Sequence, residues 1–397
     1  MGEVTHVVEI PLTVEIPVGP QHPALHEPLL LKLHADGERV VKVDVITGYN
    51  HRGIEKLAEK NSFYRDIFIV GRVCGICNTV HANCYVRALE QILDVDPPPR
   101  AKYLRVLAME LERIHSHMLI LAIAAELAGY ETLFMYVMKD REPVMKAKEM
   151  LTGQRVLADY MMVGGVRRDV DEVKISRIMD VVSRVEERVK YYHRVFQEDA
   201  TINKRLRDVG RIKPRDIVAH SLVGPIARGS GVRTDIRAQD RYDAYGEIPF
   251  NVITEDYGDS YARAMVRFGE LYESINMVKY ILTHLPQGNP VPDEKKLPRR
   301  FPAGETYTAV EAPRGELTYY VSSSGGDKPY RVKIRTPSLN NLVNSAFAYI
   351  DQMIADVPII LGSFDPCISC MERAVVTNLR SGVRYSIPLK KLGGASE

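Results

Sequence analysis

Apolar residues along this chain follow two rhythms. Between residues 5 and 47 they alternate with polar ones, as in Val7-Val8-Glu9-Ile10 and Arg39-Val40-Val41-Lys42-Val43-Asp44-Val45. A period of two puts one face inward, which predicts a small antiparallel sheet with a hairpin at Asp36-Gly37. The run Gly19-Pro20-Gln21-His22-Pro23-Ala24-Leu25-His26-Glu27-Pro28 interrupts it. Three prolines there remove ladder donors, so the segment is expected as a loop, and a polar loop between strands is a candidate site.

From Asp96-Pro97-Pro98-Pro99 the rhythm becomes helical. Leu104, Leu107, Leu111, Ile114, Met118 and Leu121 recur three and four apart up to Gly129, the signature of one long helix with a buried face. Similar spacing predicts helices from about Glu131 to Leu151, Asp171 to Asn203 and Asp256 to Leu285. Thr306 to Arg335 alternates like a hairpin around Gly325-Gly326, and a last helix is expected from about Ser338 to Ala355. The fold class is therefore α+β, a central bundle of long helices with small antiparallel sheets. Residues 1–373 are expected as one interdependent unit: N-terminal sheet and loop (5–50), bundle (96–286), and a hairpin, helix and cysteine motif (300–373), followed by a tail, 374–397. The glycine-rich segments at Val163–Asp169 and Val223–Gly231 lack a phosphate-cradling context and read as turns between helices.

Charge adds little to this picture. The 53 basic and 51 acidic residues nearly cancel, which gives no global field for nucleic acid or an anionic membrane. The longest strongly apolar run, Met118 to Ala125, is far short of the ~20 residues of a spanning helix. With no signal peptide at the start, a soluble cytoplasmic protein that docks on a membrane complex is expected.

Cysteine changes the picture. Four of the five cysteines form two C-x-x-C pairs, Cys74/Cys77 and Cys367/Cys370, with Cys84 outside them as an expected core residue. Four soft ligands suit zinc, an iron-sulfur cluster, or nickel with iron. Structural zinc sites usually draw their pairs from within about 12–20 residues, whereas Cys77 and Cys367 are 290 positions apart. A redox dithiol needs one pair and leaves the second unexplained.

The surroundings of the pairs carry a resemblance. Arg72-Val73-Cys74-Gly75-Ile76-Cys77 followed by His81, with Asp365-Pro366-Cys367-Ile368-Ser369-Cys370 and then Arg373, resembles the two signatures of nickel-iron hydrogenase large subunits. Gly19 to Pro23, Tyr49-Asn50-His51-Arg52-Gly53-Ile54-Glu55 and Glu112-Arg113-Ile114-His115-Ser116-His117 are similar to the branch shared by membrane-bound energy-converting hydrogenases and the quinone-site subunit of respiratory complex I. In the latter the cysteine ligands are gone, so four cysteines favour the hydrogenase side; His22, where a quinone-binding histidine would stand, keeps a quinone or small-oxidant site without a nickel-iron centre as the alternative. A histidine that only bonds the loop backbone is the plainer reading.

The resemblance implies nickel on Cys74, Cys77, Cys367 and Cys370, with Cys77 and Cys370 bridging to an iron that carries carbon monoxide and cyanide. Terminal Cys367 would take the proton from dihydrogen and pass it to Glu27. Arg314 would overhang the open metal position, oriented by Asp365, which otherwise caps the turn at Cys367. His81 would donate to a bridging sulfur. Glu55 would help hold a second ion, magnesium or iron, or else simply pair with Lys56 or Lys60. Ser116 departs from the aspartate many relatives carry, leaving the arginine to find another acceptor. Implied partners are a small iron-sulfur subunit, membrane ion-translocating subunits and ferredoxin, with the protein held peripherally on the cytoplasmic side of the membrane. The tail after Arg373 would be removed once nickel is in place.

Overall fold

The computed structural model describes residues 13–293, 295 and 297–371, with the backbone at 376–377 and 384–385. The expected strand at Val7–Ile10, Arg373 and most of the tail lie outside those residues.

Strands β1 (Val14–Val18), β2 (Leu30–Asp36) and β3 (Arg39–Ile46) form the antiparallel N-terminal sheet. Its alternation buries Leu31, Leu33, Ala35, Val40 and Val43. Three helices follow that the periodicity did not predict: α1 (Ile54–Ala58), α2 (Phe63–Gly71) and α3 (Asn78–Leu93). Almost every position of α3 is buried, including Asn78, Thr79, His81 and Asn83. A helix with no solvent face has no one-sided apolar stripe to detect.

Helix α4 (Pro99–Leu127) is the axis of the bundle, and α5 (Glu131–Thr152), α11 (Ser260–Thr283) and α13 (Val357–Phe364) pack against it. Pro99 at its first turn fixes the start, and Gly129 at φ +88° stops it. Its polar residues are buried as thoroughly as its leucines: Arg105, Glu110, Glu112, Arg113, His115, Ser116 and His117 are all enclosed. The first glycine-rich segment becomes a minimal hairpin, β4 (Met161–Met162) and β5 (Gly165–Val166). The expected helix from Asp171 to Asn203 divides into α6 (Glu172–Glu198) and α7 (Ala200–Leu206), because Asp199 leaves helical geometry and its carboxylate caps α7 at Ile202 N, 2.9 Å. Short helices α8 (Pro214–Ala219), α9 (Pro225–Arg228) and α10 (Ile236–Gln239) lead to α11 (Ser260–Thr283), capped by Asp259.

The C-terminal part corrects two expectations. Instead of one hairpin around Gly325-Gly326 there are three antiparallel strands, β6 (Phe301–Ala312), β7 (Gly315–Gly326) and β8 (Arg331–Arg335), and the tightest turn is at Pro313-Arg314. The helix expected from Ser338 to Ala355 is only α12 (Pro337–Val343); 3-10 turns follow, and then α13 (Val357–Phe364). Between them the backbone bonds to β3 instead, Val40 N donating to Gln352 O and Asp351 N to Val40 O, both 2.9 Å. Asp351 at φ +62° cannot continue a helix.

An ionic lattice runs through the bundle. Glu110 accepts from Arg113, Arg237, Tyr245 and Ser274, and Arg228 joins Glu270 at 2.7 Å to Glu311 at 2.8 Å. His117 bonds the second oxygen of Glu270 at 2.7 Å. Such pairs are neutral to stability while intact, but removing one member strands a buried charge and costs about 3–5 kcal/mol. Glu110→Ala, which leaves Arg113 with the Glu311 carbonyl alone while Arg237 keeps Asp235, should lose that much in chemical denaturation; a loss below about 1 kcal/mol would mean that the lattice readily admits water.

Candidate metal centre

Each cysteine pair sits in a turn held by groups from elsewhere in the chain. After α2 the backbone turns so that Ile76 N and Cys77 N both donate to Cys74 Sγ at 3.2 Å, and Cys77 is the N-cap position of α3. The helix end is fixed by Glu112 of α4, whose two oxygens accept from Thr79 N and Val80 N at 3.0 Å, while Lys148 of α5 pairs with that carboxylate at 2.8 Å. The second pair follows α13, where Asp365 at φ +55° ends the helix. Cys367 N donates to Ser338 Oγ at 3.0 Å, Thr336 Oγ1 donates to Cys370 O at 2.9 Å, and Ile368–Cys370 form a 3-10 turn. Arg52 bonds across both motifs, to Arg72 O and Val73 O at 2.9 Å and to Ser369 O at 2.8 Å.

The four sulfurs meet. Cys74 lies 3.3 Å from Cys367, Cys367 3.2 Å from Cys370, and Cys77 4.0 Å from Cys370. None of the four residues is more than 3% exposed. A disulfide needs about 2.05 Å, so these are separate thiols. Sulfurs arranged tetrahedrally at about 2.3 Å from one ion stand about 3.8 Å apart, close to the spacings here. Electrostatics agree. Hydrogen bonds from Cys367, Cys370 and Cys77 hold the Cys74 thiol well below its ordinary range. Cys77 and Cys367 are pushed well above it: each bonds Cys370, which opposes the shift, but donation to Cys74 together with burial prevails. Cys370, bonded to all three, is also raised. Burial thus disfavours ionisation of all four thiols together, and a soft cation bound among them would offset that cost. The donor set fits a thiolate-held metal centre.

Around the sulfurs, His81 places Nε2 3.8 Å from Cys370 Sγ and Nδ1 2.7 Å from the Tyr319 hydroxyl. Burial lowers its pKa to about 4, and the same burial raises the Tyr319 hydroxyl far above its ordinary value. Arg314, in the β6–β7 turn, donates to Asp365 O at 2.8 Å, Asp365 Oδ1 at 2.7 Å and Ser116 Oγ at 3.1 Å. Ser116 thus keeps a bond to the arginine, and the carboxylate comes from Asp365. Asp365 Oδ2 is buried without a hydrogen-bond partner among the described residues. Burial raises the Asp365 pKa against the opposing pull of Arg314 and Arg267.

Glu27 lies against the second pair: its oxygens accept from Ile368 N at 2.6 Å, Ser369 N at 3.2 Å and the Ser369 hydroxyl. It also lines a cavity of about 220 Å³ whose walls include Leu25, Ile76 and Leu119 and whose inner end carries Arg314 and Asp365. Other candidates lie apart from the sulfurs. Glu55 turns to β8, accepting from Ile334 N at 3.0 Å and Arg331 at 3.1 Å, while Lys56 pairs with Glu59. His22 is exposed and its Nδ1 accepts from Ala24 N at 3.2 Å. Cys84 is a core residue against Thr308, its thiol pushed up to about 12 by burial. Arg52, Glu112, Lys148, Thr336, Ser338 and Tyr319 were not singled out from sequence. The one available signal was that Arg52 and Glu112 stand inside the stretches that carried the resemblance.

With this geometry in place, comparison with known proteins is informative. The family model of the respiratory-chain NADH dehydrogenase 49 kDa subunit matches residues 128–300 and 295–373, and that of nickel-dependent hydrogenase matches residues 52–121. A carbon monoxide-induced hydrogenase of Rhodospirillum rubrum is 40% identical over 91% of this chain and 99% of its own. The membrane-bound hydrogenase subunit alpha of Pyrococcus furiosus is 38% identical over 91% of this chain and 88% of its own. Among solved structures, a chain of the membrane-bound sulfane sulfur reductase, an archaeal respiratory membrane complex, superposes with a TM-score of 0.86 at 34% identity, covering 91% of this chain and 98% of that one. Fold and matches define an oxidoreductase-complex subunit. More narrowly, the chain belongs to the family that joins nickel-dependent hydrogenases with the 49 kDa subunit of respiratory NADH dehydrogenase. No helix among the described residues is long and apolar enough to cross a membrane.

The position of Arg314 rests on a glycine. At Gly224 (φ +72°) an added Cβ would stand 2.3 Å from Arg314 O, whereas at Gly129 (φ +88°) it would meet nothing within 4 Å. Gly224→Ala should therefore destabilise the protein by about 1–3 kcal/mol more than Gly129→Ala in denaturant titrations, the difference being the steric term. Equal losses would show that the β6–β7 turn yields freely.

Proposed function

We propose that this chain is the catalytic large subunit of a membrane-bound, energy-converting nickel-iron hydrogenase, which forms and splits dihydrogen reversibly. The observation that carries the reading is the convergence of four buried cysteine sulfurs from opposite ends of the chain. Cys74, Cys77, Cys367 and Cys370 would hold a nickel-iron centre whose iron carries carbon monoxide and cyanide. When bound, that centre would supply the two-electron chemistry of dihydrogen. The rest falls to the protein's own side chains.

Arg314, fixed by Asp365 and Ser116, presents a permanent positive charge beside the sulfurs and lowers the cost of their ionisation. Glu27 is the acceptor for a proton leaving Cys367. Of its three donors, the Ser369 hydroxyl is the one that can rotate away and free an acceptor position on Oε1, which keeps its bond from Ser369 N. From Glu27 the cavity leads past His26, exposed and 3.6 Å from Glu126, toward solvent. With the four paired cysteines given to one centre, this chain keeps only Cys84, buried in the core, so electrons need a partner iron-sulfur subunit. Ferredoxin as donor, ion-translocating membrane subunits and a peripheral cytoplasmic-side position complete the proposal, as does removal of the tail after Arg373.

The second reading, a complex I-type subunit that binds a quinone or another small oxidant, draws on the same cavity. At about 220 Å³ it is smaller than the roughly 300–1,000 Å³ of sites for cofactor-sized ligands, whereas a second cavity of about 410 Å³ lined by Pro20, Gln21, Pro28 and Tyr49 falls within that range; the four buried cysteines, and not cavity size, favour the first reading. Anaerobically isolated complex should contain nickel and iron, show infrared bands of iron-bound carbon monoxide and cyanide, and evolve hydrogen from a low-potential donor. Zinc alone, or no hydrogen from a nickel-loaded sample, would contradict the proposal. Glu27→Gln should lower hydrogen evolution about 10²–10⁴-fold with nickel content unchanged, and normal turnover would remove Glu27 from the proton path.

A further inference from the structure

His81 is oriented by a residue that no sequence signature marks. Tyr319 lies on the central strand β7, wholly buried, and its hydroxyl meets His81 Nδ1 at 2.7 Å, with no other bond among the described residues. The opposite ring nitrogen, Nε2, faces Cys370 Sγ at 3.8 Å. The ring is held edge-on to Tyr319, and the Tyr319 ring in turn meets Tyr85 edge-on at 6.1 Å.

Two arrangements of protons are available. If Nδ1 carried the imidazole proton and donated to Tyr319, the phenol proton would be left without an acceptor among the described residues, and once Cys370 is ionised on a metal the lone pair of Nε2 would face its sulfur. A buried polar hydrogen without an acceptor is costly. If the phenol donates to Nδ1, that nitrogen carries no proton and the ring N–H is left at Nε2, pointing at Cys370. All polar groups are then satisfied at once.

We propose that Tyr319 is a positioning residue that fixes the Nε2–H tautomer of His81 and thereby keeps a hydrogen-bond donor directed at the Cys370 sulfur. The effect on a bound centre rests on the function proposed above, whereas the tautomer belongs to this chain alone. A donor on a metal-bridging thiolate withdraws electron density from it, so losing the tautomer makes that sulfur a stronger donor to the metals.

The test uses Tyr319→Phe, which removes only the hydroxyl. Nitrogen-15 NMR of the full chain labelled at histidine should give His81 a pyridine-type Nδ1 and a pyrrole-type Nε2, and in Tyr319→Phe the Nδ1 signal should move toward the pyrrole type. A proton on Nδ1 in the unsubstituted chain, or unchanged His81 signals in the variant, would overturn the proposal. In the nickel-loaded complex, the same variant should shift the carbon monoxide and cyanide bands to lower wavenumber and slow turnover about 10-fold or more, within the range of outer ligand partners. His81→Gln, which keeps an N–H donor able to face Cys370, should leave the bands close to those of the unsubstituted complex and make them insensitive to a second Tyr319→Phe change. Bands that still move with Tyr319 in that background would also overturn it. Absence of such bands from the unsubstituted complex would contradict the hydrogenase reading instead, with the NMR result standing on its own.

Discussion

Bringing four thiols together in a dry interior, each with a neighbour at 3.2–4.0 Å, is an electrostatic problem before it is a chemical one. The protein allows one of them to ionise easily and resists the rest. Much of the surrounding structure reads as a response to that constraint. Backbone N–H groups point at Cys74, the amino end of α3 starts at Cys77, and the Arg314 guanidinium stands close by. Each of these favours negative charge, yet together they stop short of stabilising four thiolates. A bound cation would complete the balance.

The same constraint explains why so many ions lie inside the bundle. Glu112 fixes the end of α3 and must itself be neutralised, which Lys148 does from α5. Arg314 must be held still, which Asp365 does, and one oxygen of Asp365 remains unbonded. Behind these the lattice of Glu110, Arg113, Arg228, Arg237, Glu270 and Glu311 joins α4, α9, α10, α11 and β6. A lattice of this kind contributes little net stability. Under the proposed function it would hold the dipoles around the sulfurs fixed, so that they need not reorganise when charge arrives there.

How far the sequence revealed this depends on where each residue's partners lie. The N-terminal sheet and the helices around α4 were legible because alternation and three-four spacing are local. The two cysteine pairs, Glu27, Arg314 and Asp365 stood in contiguous signatures, and the structure brings all of them to one place. Helices α1 to α3 were not predicted for different reasons: α3 has almost no exposed face to create a pattern, α1 is only five residues long, and α2 does carry a helical spacing at Phe63, Ile67 and Val70 but over little more than two turns. The division of the last helix depends on backbone bonds to β3, more than 300 positions earlier. Tyr319, Thr336 and Ser338 are ordinary residue types in ordinary strand and turn positions, and only their distances to His81 and the cysteines mark them. Glu55 is the converse case: it stands in a stretch that resembles the family, yet its carboxylate anchors β8.

The proposed function requires that the two distant cysteine pairs bind a single nickel together. X-ray absorption at the nickel edge of the anaerobically isolated complex tests it most directly, with Cys74→Ser and Cys370→Ser measured alongside. A shell of four sulfur neighbours, and loss of nickel in both variants, is the expected result. A shell dominated by nitrogen or oxygen, or nickel retained with an unchanged shell in either variant, would contradict it.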